Sequence, residues 1–300
     1  MTWAAPALAG RRFARDPVWV HRPGVTDVLT QADAAGGLPR LGGMARADGV
    51  VIASERFWAF ATRDGAVREG SMPRPPERLR HVPLARGLAR LGLALAPLFG
   101  GRGVARTRER LLLLAALLAP LSLFFLPGSA STPVGIATAV VLLAWLLRGR
   151  TLFLHGAEHR AIAAAEESRL LDTWHGAARP SRFSPRCGTN FAALVVPVSL
   201  GAERLWPLSV AVYTPFAVTL VSLALTMELW QLVQASRSRA ARAFLVPGLA
   251  LQRLTTREPT DEETRIALTA VASVLRRELA SEAPLAVPPS GCTGFARASV

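Results

Sequence analysis

The sequence predicts a mainly α fold: a polytopic helical membrane protein with a small N-terminal β element and cytoplasmic loops. Three observations carry this expectation. The 37 residues from Leu111 to Leu147 contain no Asp, Glu, Lys, Arg or His, a run that a water-soluble chain seldom tolerates. Two more apolar pieces follow, Asn190–Ala202 and Trp206–Met227. Ahead of them, alternating apolar residues around an Asp-Gly pair form a hairpin pattern.

Residues 1–35 mix Pro17, Pro23 and Gly24 with scattered arginines and read as a flexible basic arm. Arg11, Arg12 and Arg15 have no apolar core after them, so the arm does not read as a signal peptide. Residues 36–80 form the small β-containing cytoplasmic element. Val50-Val51-Ile52 suggests one strand. Arg56–Arg63 suggests another, with Trp58, Phe60 and Thr62 alternating against Phe57, Ala59 and Ala61. Asp64-Gly65 suits a two-residue turn, Ala66-Val67 begins the return strand, and Gly42-Gly43 suits a tight turn. Pro73, Pro75 and Pro76 end the element.

Residues 81–110 read as an interfacial helix, Leu84–Phe99 with Arg86 and Arg90 one turn apart, and a basic linker. Residues 111–147 read as a transmembrane hairpin, Leu111–Leu126 and Pro133–Leu147 around Pro127-Gly128-Ser129. Each arm is short, since 16 residues make about 24 Å of helix against roughly 30 Å of hydrocarbon. Residues 148–189 form a cytoplasmic loop, and residues 190–227 two more transmembrane helices. Pro197 interrupts the first, and Pro215 is placed to kink the second between Trp206 and Trp230. Residues 228–300 form a cytoplasmic tail. In it Thr260 and Glu263 make a capping box, and Ile266, Ala270, Val274 and Leu275 mark one apolar stripe.

The formal net charge is +14, and all 35 Lys-or-Arg positions are arginine. Such a charge suggests nucleic acid, but no aromatic-basic interleaving or zinc-finger spacing accompanies it. The arginines segregate instead: 18 in residues 1–110, seven from Arg148 to Arg186, nine in residues 228–300, and only Arg204 between the last two apolar pieces. The positive-inside rule then places both termini and the His155–Cys187 loop in the cytoplasm of an inner membrane, most simply with four crossings. Cys187 and Cys292 are too far apart in sequence to suggest a disulfide scaffold.

One motif carries chemistry. In His155-Gly156-Ala157-Glu158-His159, two imidazoles at i and i+4 share a helix face, with a carboxylate between them. This is the inverse of the His-Glu-x-x-His zinc motif, so His155 and His159 are candidate ligands of a divalent metal, with zinc expected. Glu158 is the candidate general base. Glu166 is the first choice for a third ligand, because seven residues beyond His159 it returns to nearly the same face. Cys187, in Pro185-Arg186-Cys187-Gly188, is the second choice. Glu228 is the third, unless it pairs with Arg186 or Arg257. Arg253, Thr255, Thr256, Arg257, Glu258 and Asp261 form a further polar cluster, suited either to an anionic headgroup or to internal ion pairs.

These stretches resemble the YqhQ-like family, bacterial membrane proteins whose shared domain has no assigned function. The resemblance rests on Gly42-Gly43 with Gly49-Val50, Pro83-Leu84-x-Arg86-Gly87, Phe153-Leu154-His155-Gly156-Ala157-Glu158-His159, Pro185-Arg186-Cys187-Gly188-Thr189-x-Phe191, Glu228, and Pro247-Gly248-Leu249 running on to Glu258-Pro259. It implies a multi-pass inner-membrane protein with cytoplasmic motifs and a metal-dependent enzyme. The chain departs from the pattern at Met44, where the family has glutamine, at Asp48 for glutamate, and at Ser184 for a histidine. Asp48 keeps a carboxylate with shorter reach; Met44 and Ser184 leave open altered or lost activity.

Two functions remain. In the first, His155 and His159 with Glu166 or Cys187 hold a metal, Glu158 moves a proton, and Arg186, Arg253 and Arg257 hold an anionic lipid or a membrane peptide. In the second, the protein is a non-enzymatic membrane assembly, insertion or transport factor, and His155, Glu158 and His159 form a structural polar network.

Overall fold

The structure, a computed structural model, describes residues 24–282 except position 36, residues 100–102, most of 112–148, residues 208–212 and position 237. The expected hairpin of residues 111–147 therefore lies largely outside the described residues.

Four strands form an antiparallel meander in the order β1 (Gly42–Arg46), β2 (Gly49–Ala53), β3 (Phe57–Thr62) and β4 (Val67–Ser71). The expected alternation is present, and both faces of the sheet are covered. Val50, Ile52, Ala59 and Ala61 enter the main core, while Val51, Trp58 and Phe60 enter a second cluster with Leu98, Val104 and Ala105. Asp64-Gly65 makes the β3–β4 turn, in which the Gly65 N–H donates to the Thr62 carbonyl at 3.1 Å. Gly42-Gly43 does not form a turn; it opens β1, pairing with Ala53 and Ile52.

The helices include α1 (Val25–Ala34), α2 (Glu77–Arg80), α3 (Ala85–Phe99), α4 (Thr151–Glu166), α5 (Leu170–Trp174), α6 (Gly188–Arg204), α7 (Thr214–Ala235), α8 (Arg239–Ala243), α9 (Val246–Thr255) and α10 (Asp261–Glu282), and residues 107–111 are helical too. The main core lies between the sheet and α4, α5 and α10. Four of the six α4 residues in this core are alanine, Ala157, Ala161, Ala164 and Ala165, beside Leu154 and Ile162. Side chains this small bring its backbone close to β1 and α10. α10 begins with the expected capping box, the Thr260 N–H donating to Glu263 Oε2 at 3.0 Å and the Glu263 N–H to Thr260 Oγ1 at 3.2 Å. Ile266, Ala270, Val274 and Leu275 are all buried.

The expected arm of residues 1–35 is corrected at its end. Residues 25–34 are α1, with Leu29 and Ala32 fully buried in the core. Asp33 then caps a distant helix, its two carboxylate oxygens accepting from the Leu170 and Leu171 N–H groups at 2.9 Å. A contact across 137 positions leaves no local signal.

α3, α6, α7 and α9 pack on one another. Pro197 sits inside an unbroken α6. Pro215 does not kink α7: it occupies the first turn, where its missing N–H costs nothing. The helix thus begins at Thr214, eight residues after the expected start at Trp206. Among the described residues α7 is the one helix long and apolar enough to cross a membrane, with mean hydropathy 1.7.

Candidate metal centre

α4 presents His155 and His159 from one face, their ring centroids 4.5 Å apart at 67°. Each ring is oriented through Nδ1. His155 Nδ1 donates to the Thr255 carbonyl at 2.8 Å and His159 Nδ1 to the Arg182 carbonyl at 2.7 Å. A carbonyl has no proton to give, so each neutral ring carries its hydrogen on Nδ1 and offers a lone pair at Nε2. His155 Nε2 lies 3.2 Å from Cys187 Sγ. His159 Nε2 is buried and has no hydrogen-bond partner among the described residues. One ligand atom from each of His155, His159 and Cys187 lies within 4.8 Å of the other two. The three form a cluster able to coordinate a metal ion, with the outer ring nitrogens tied down as in known metal-histidine sites.

Sequence distant from α4 builds this geometry. Cys187 caps α6, its sulfur accepting from Thr189 N–H at 3.4 Å and Thr189 Oγ1 at 3.3 Å. The turn leading into it is gripped by the fully buried Gln252. The Gln252 side chain donates to the Ser184 carbonyl at 2.7 Å and accepts from the Ser184 N–H at 2.9 Å. Asn190 Nδ2 donates to the carbonyls of Ser184 and Pro185 at 3.1 and 3.0 Å. Gly156 is required by a backbone approach: a Cβ there would meet the Arg257 carbonyl oxygen at 2.2 Å. The Arg257 N–H in turn donates to the Leu152 carbonyl at 2.9 Å.

Burial sets the protonation states. Desolvation holds His159 down at about 4, aided by the charge of His155. His155 is also lowered by desolvation, against the pull of the Thr255 carbonyl. Both rings are therefore neutral at pH 7, the form that binds a metal. Desolvation, with the nearby Glu158 charge, raises the Cys187 thiol to about 11 despite its contacts with Thr189.

Glu158, 5 % exposed, points from α4 to β1. A Cβ on Gly43 would sit 2.7 Å from its Cγ, so the glycine of β1 makes room for this carboxyl. Desolvation raises Glu158 to about 8, opposed by a hydrogen bond from the Ala45 backbone. The native state therefore keeps a proton there that the unfolded chain loses above its ordinary value of 4.5. Stability contributed by Glu158 falls as pH rises between these two values. The expected result is that Glu158→Gln gains stability over the metal-free parent as pH rises through this window, the gap levelling off above about 8. Thermal melts at stepped pH check it, and a gap that shrinks as pH rises refutes it.

The other sequence candidates lie elsewhere. Glu166 stands outside the cluster, its carboxylate bound by Arg186. Seven residues past His159 it regains the angular position but is displaced about 10 Å along the axis. Glu228 is held by Arg86 through contacts at 2.8, 3.1 and 2.6 Å, and by neither Arg186 nor Arg257. Asp48 pairs with Arg46 and Arg106, each at 3.0 Å. Arg257 donates to the Arg253 carbonyl at 3.0 Å, and Arg253 is exposed. Glu258 pairs with the buried Arg160 at 2.5 Å, so this cluster is partly an internal ion-pair network.

Residues 139–277 match the family described as protein of unknown function (DUF1385). Over 137 residues the chain is 34 % identical to the "Uncharacterized protein YqhQ" of Bacillus subtilis (strain 168), a match covering 44 % of this chain and 43 % of that protein. The chain thus spans less than half the length of this relative. No solved structure gives a significant match. The segment that matches the DUF1385 family, residues 139–277, contains the whole His–His–Cys cluster.

Proposed function

We propose that the protein is a metal-dependent hydrolase of the bacterial inner membrane, multi-pass with both termini cytoplasmic, acting on a lipid or membrane peptide. The observation that carries the metal assignment is the lone pair of His159 Nε2. It is buried without a partner among the described residues, a costly state for a polar atom, and it shares a small volume with two other donor atoms. Two imidazoles and a thiol favour zinc among divalent ions. Three protein donors leave one coordination position free, as in catalytic rather than structural zinc sites.

An ion held there supplies Lewis acidity and brings water toward ionisation at neutral pH. The protein supplies the rest. The Thr255 and Arg182 carbonyls aim the imidazoles, and Gln252 and Asn190 fix the turn that carries Cys187. Glu158, near 8, is poised to take and return a proton at physiological pH. Exposed Arg253 and Arg257 suit an anionic group of the substrate.

The membrane assignment is supported by α7, of which only 28 % of the apolar window is buried. The core helix of a water-soluble domain would be mostly buried. The arginine-free apolar run of residues 111–147 supports further crossings.

Mass spectrometry of metal in the purified full-length chain tests the reading. About one ion per chain is expected in the parent and none in His155→Ala/His159→Ala. Equal, near-zero metal in both would overturn the enzyme and leave the structural polar network of a non-enzymatic membrane factor.

A further inference from the structure

α9 wears its apolar side outward. Gly248, Gln252 and Thr255, at i, i+4 and i+7, are its buried residues. Pro247, Ala250, Leu251 and Leu254 recur at the same interval on the opposite face, and all are exposed. Leu254 is 67 % exposed, and the adjoining Phe244 and Val246 are 52 % and 60 % exposed. A surface helix in water shows the reverse arrangement. Charge adds a second, independent observation. From residue 229 to 257 the chain has no Asp or Glu and five arginines. Arg239, Arg242 and Arg253 are exposed, and none has a carboxylate partner among the described residues.

Position supplies the third. α8 follows α7 directly, and α9 packs on α6. Both therefore lie at the end of the α6–α7 hairpin where α7 ends and α6 begins. We propose that α8 and α9 lie in the headgroup layer of an anionic phospholipid surface, with Phe244, Val246, Leu251 and Leu254 reaching the acyl boundary and Arg239, Arg242 and Arg253 on the phosphates. An apolar stripe flanked by basic residues is the composition of such a helix, and anionic headgroups account for the unpaired positive charge. The apolar face of a protein partner would not. This inference rests on the membrane half of the proposed function. It ties the lipid surface to the metal centre, because α9 supplies both the Thr255 carbonyl on His155 and the Gln252 grip on the turn before Cys187.

The test uses the full-length chain with Cys292→Ser, reconstituted in nanodiscs of phosphatidylcholine alone or mixed with phosphatidylglycerol. Spin labels are placed at Leu254→Cys, Leu225→Cys within α7, and Glu262→Cys as an aqueous reference; the unsubstituted parent sets the contribution of Cys187. Access to oxygen, which enters lipid, is compared with access to a water-soluble nickel complex. In phosphatidylglycerol discs the Leu254 label is expected to be at least about five-fold less open to nickel than the Glu262 label, because a headgroup-level apolar side chain is out of bulk water. It should stay open to oxygen. Protection should weaken in pure phosphatidylcholine and in Arg239→Gln/Arg242→Gln/Arg253→Gln. Free nickel access at Leu254 with a lipid-facing Leu225 overturns the inference and leaves the span standing. Equal protection in both lipids overturns the anionic surface, and shielding from both probes overturns lipid in favour of a protein cover. Nickel access at Leu225 overturns the membrane half itself and the inference with it. The metal measurement is independent of all four.

Discussion

Cys187→Ala is expected to lower zinc affinity by at least about a hundredfold, since even residues that only orient ligands are worth 10- to 100-fold. The change should also remove the proton released on binding. In the metal-free protein the thiol sits at about 11, so at pH 7 it is protonated, and the thiolate must form as the ion enters. Both histidines are already neutral there, with His159 near 4, and release nothing. The parent should therefore release about one proton per ion more than the alanine variant, and the thiol makes its affinity fall about tenfold per unit of acidification below 11 until the histidines begin to protonate. Calorimetry in two buffers of different ionisation enthalpy counts the proton. Equal proton release by parent and variant, or unchanged affinity, would remove Cys187 from the ligand set.

Gly156→Ala is expected to destabilise the fold by about 3 kcal/mol, the upper end for overpacking, and to lower Tm by roughly 6–12 °C. The new methyl meets backbone, not a side chain that can turn away: the Arg257 oxygen would be 2.2 Å from it. Relief requires α4 and the Thr255–Pro259 segment to separate, which moves the Thr255 carbonyl away from His155 Nδ1. Zinc affinity should therefore fall along with stability. Gly92→Ala is the matched control. Gly92 lies in α3 with nothing among the described residues within 4 Å of its Cβ position, so alanine there should leave zinc binding unchanged and add up to about 1 kcal/mol of helix stability. Parallel thermal melts and zinc titrations separate the two outcomes. A Gly156→Ala protein that melts like its parent would mean the two backbones have room to part.

The resemblance drawn from short motifs takes on physical content once the motifs touch. Gly43 of the first faces Glu158 of the third, and Gly156 of the third faces Arg257 of the last. Cys187 of the fourth meets His155 of the third. Residues scattered over more than 200 positions thus line one site, and the glycines among them mark where main chains come closest.

What could be read from sequence alone depended on local periodicity. The alternation of β3, the capping box at Thr260, and the shared face of His155 and His159 each follow from backbone geometry within a few residues. The third donor needed the tertiary structure. Helical angle favoured Glu166, but rise along the axis carried it away to Arg186, while Cys187 arrived from another helix on a turn held by Gln252. The Arg86–Glu228 pair, the burial of α1 and the Asp33 cap on α5 were set in the same way. Periodicity determines which face of an element a residue occupies, whereas only packing between elements decides what that face meets.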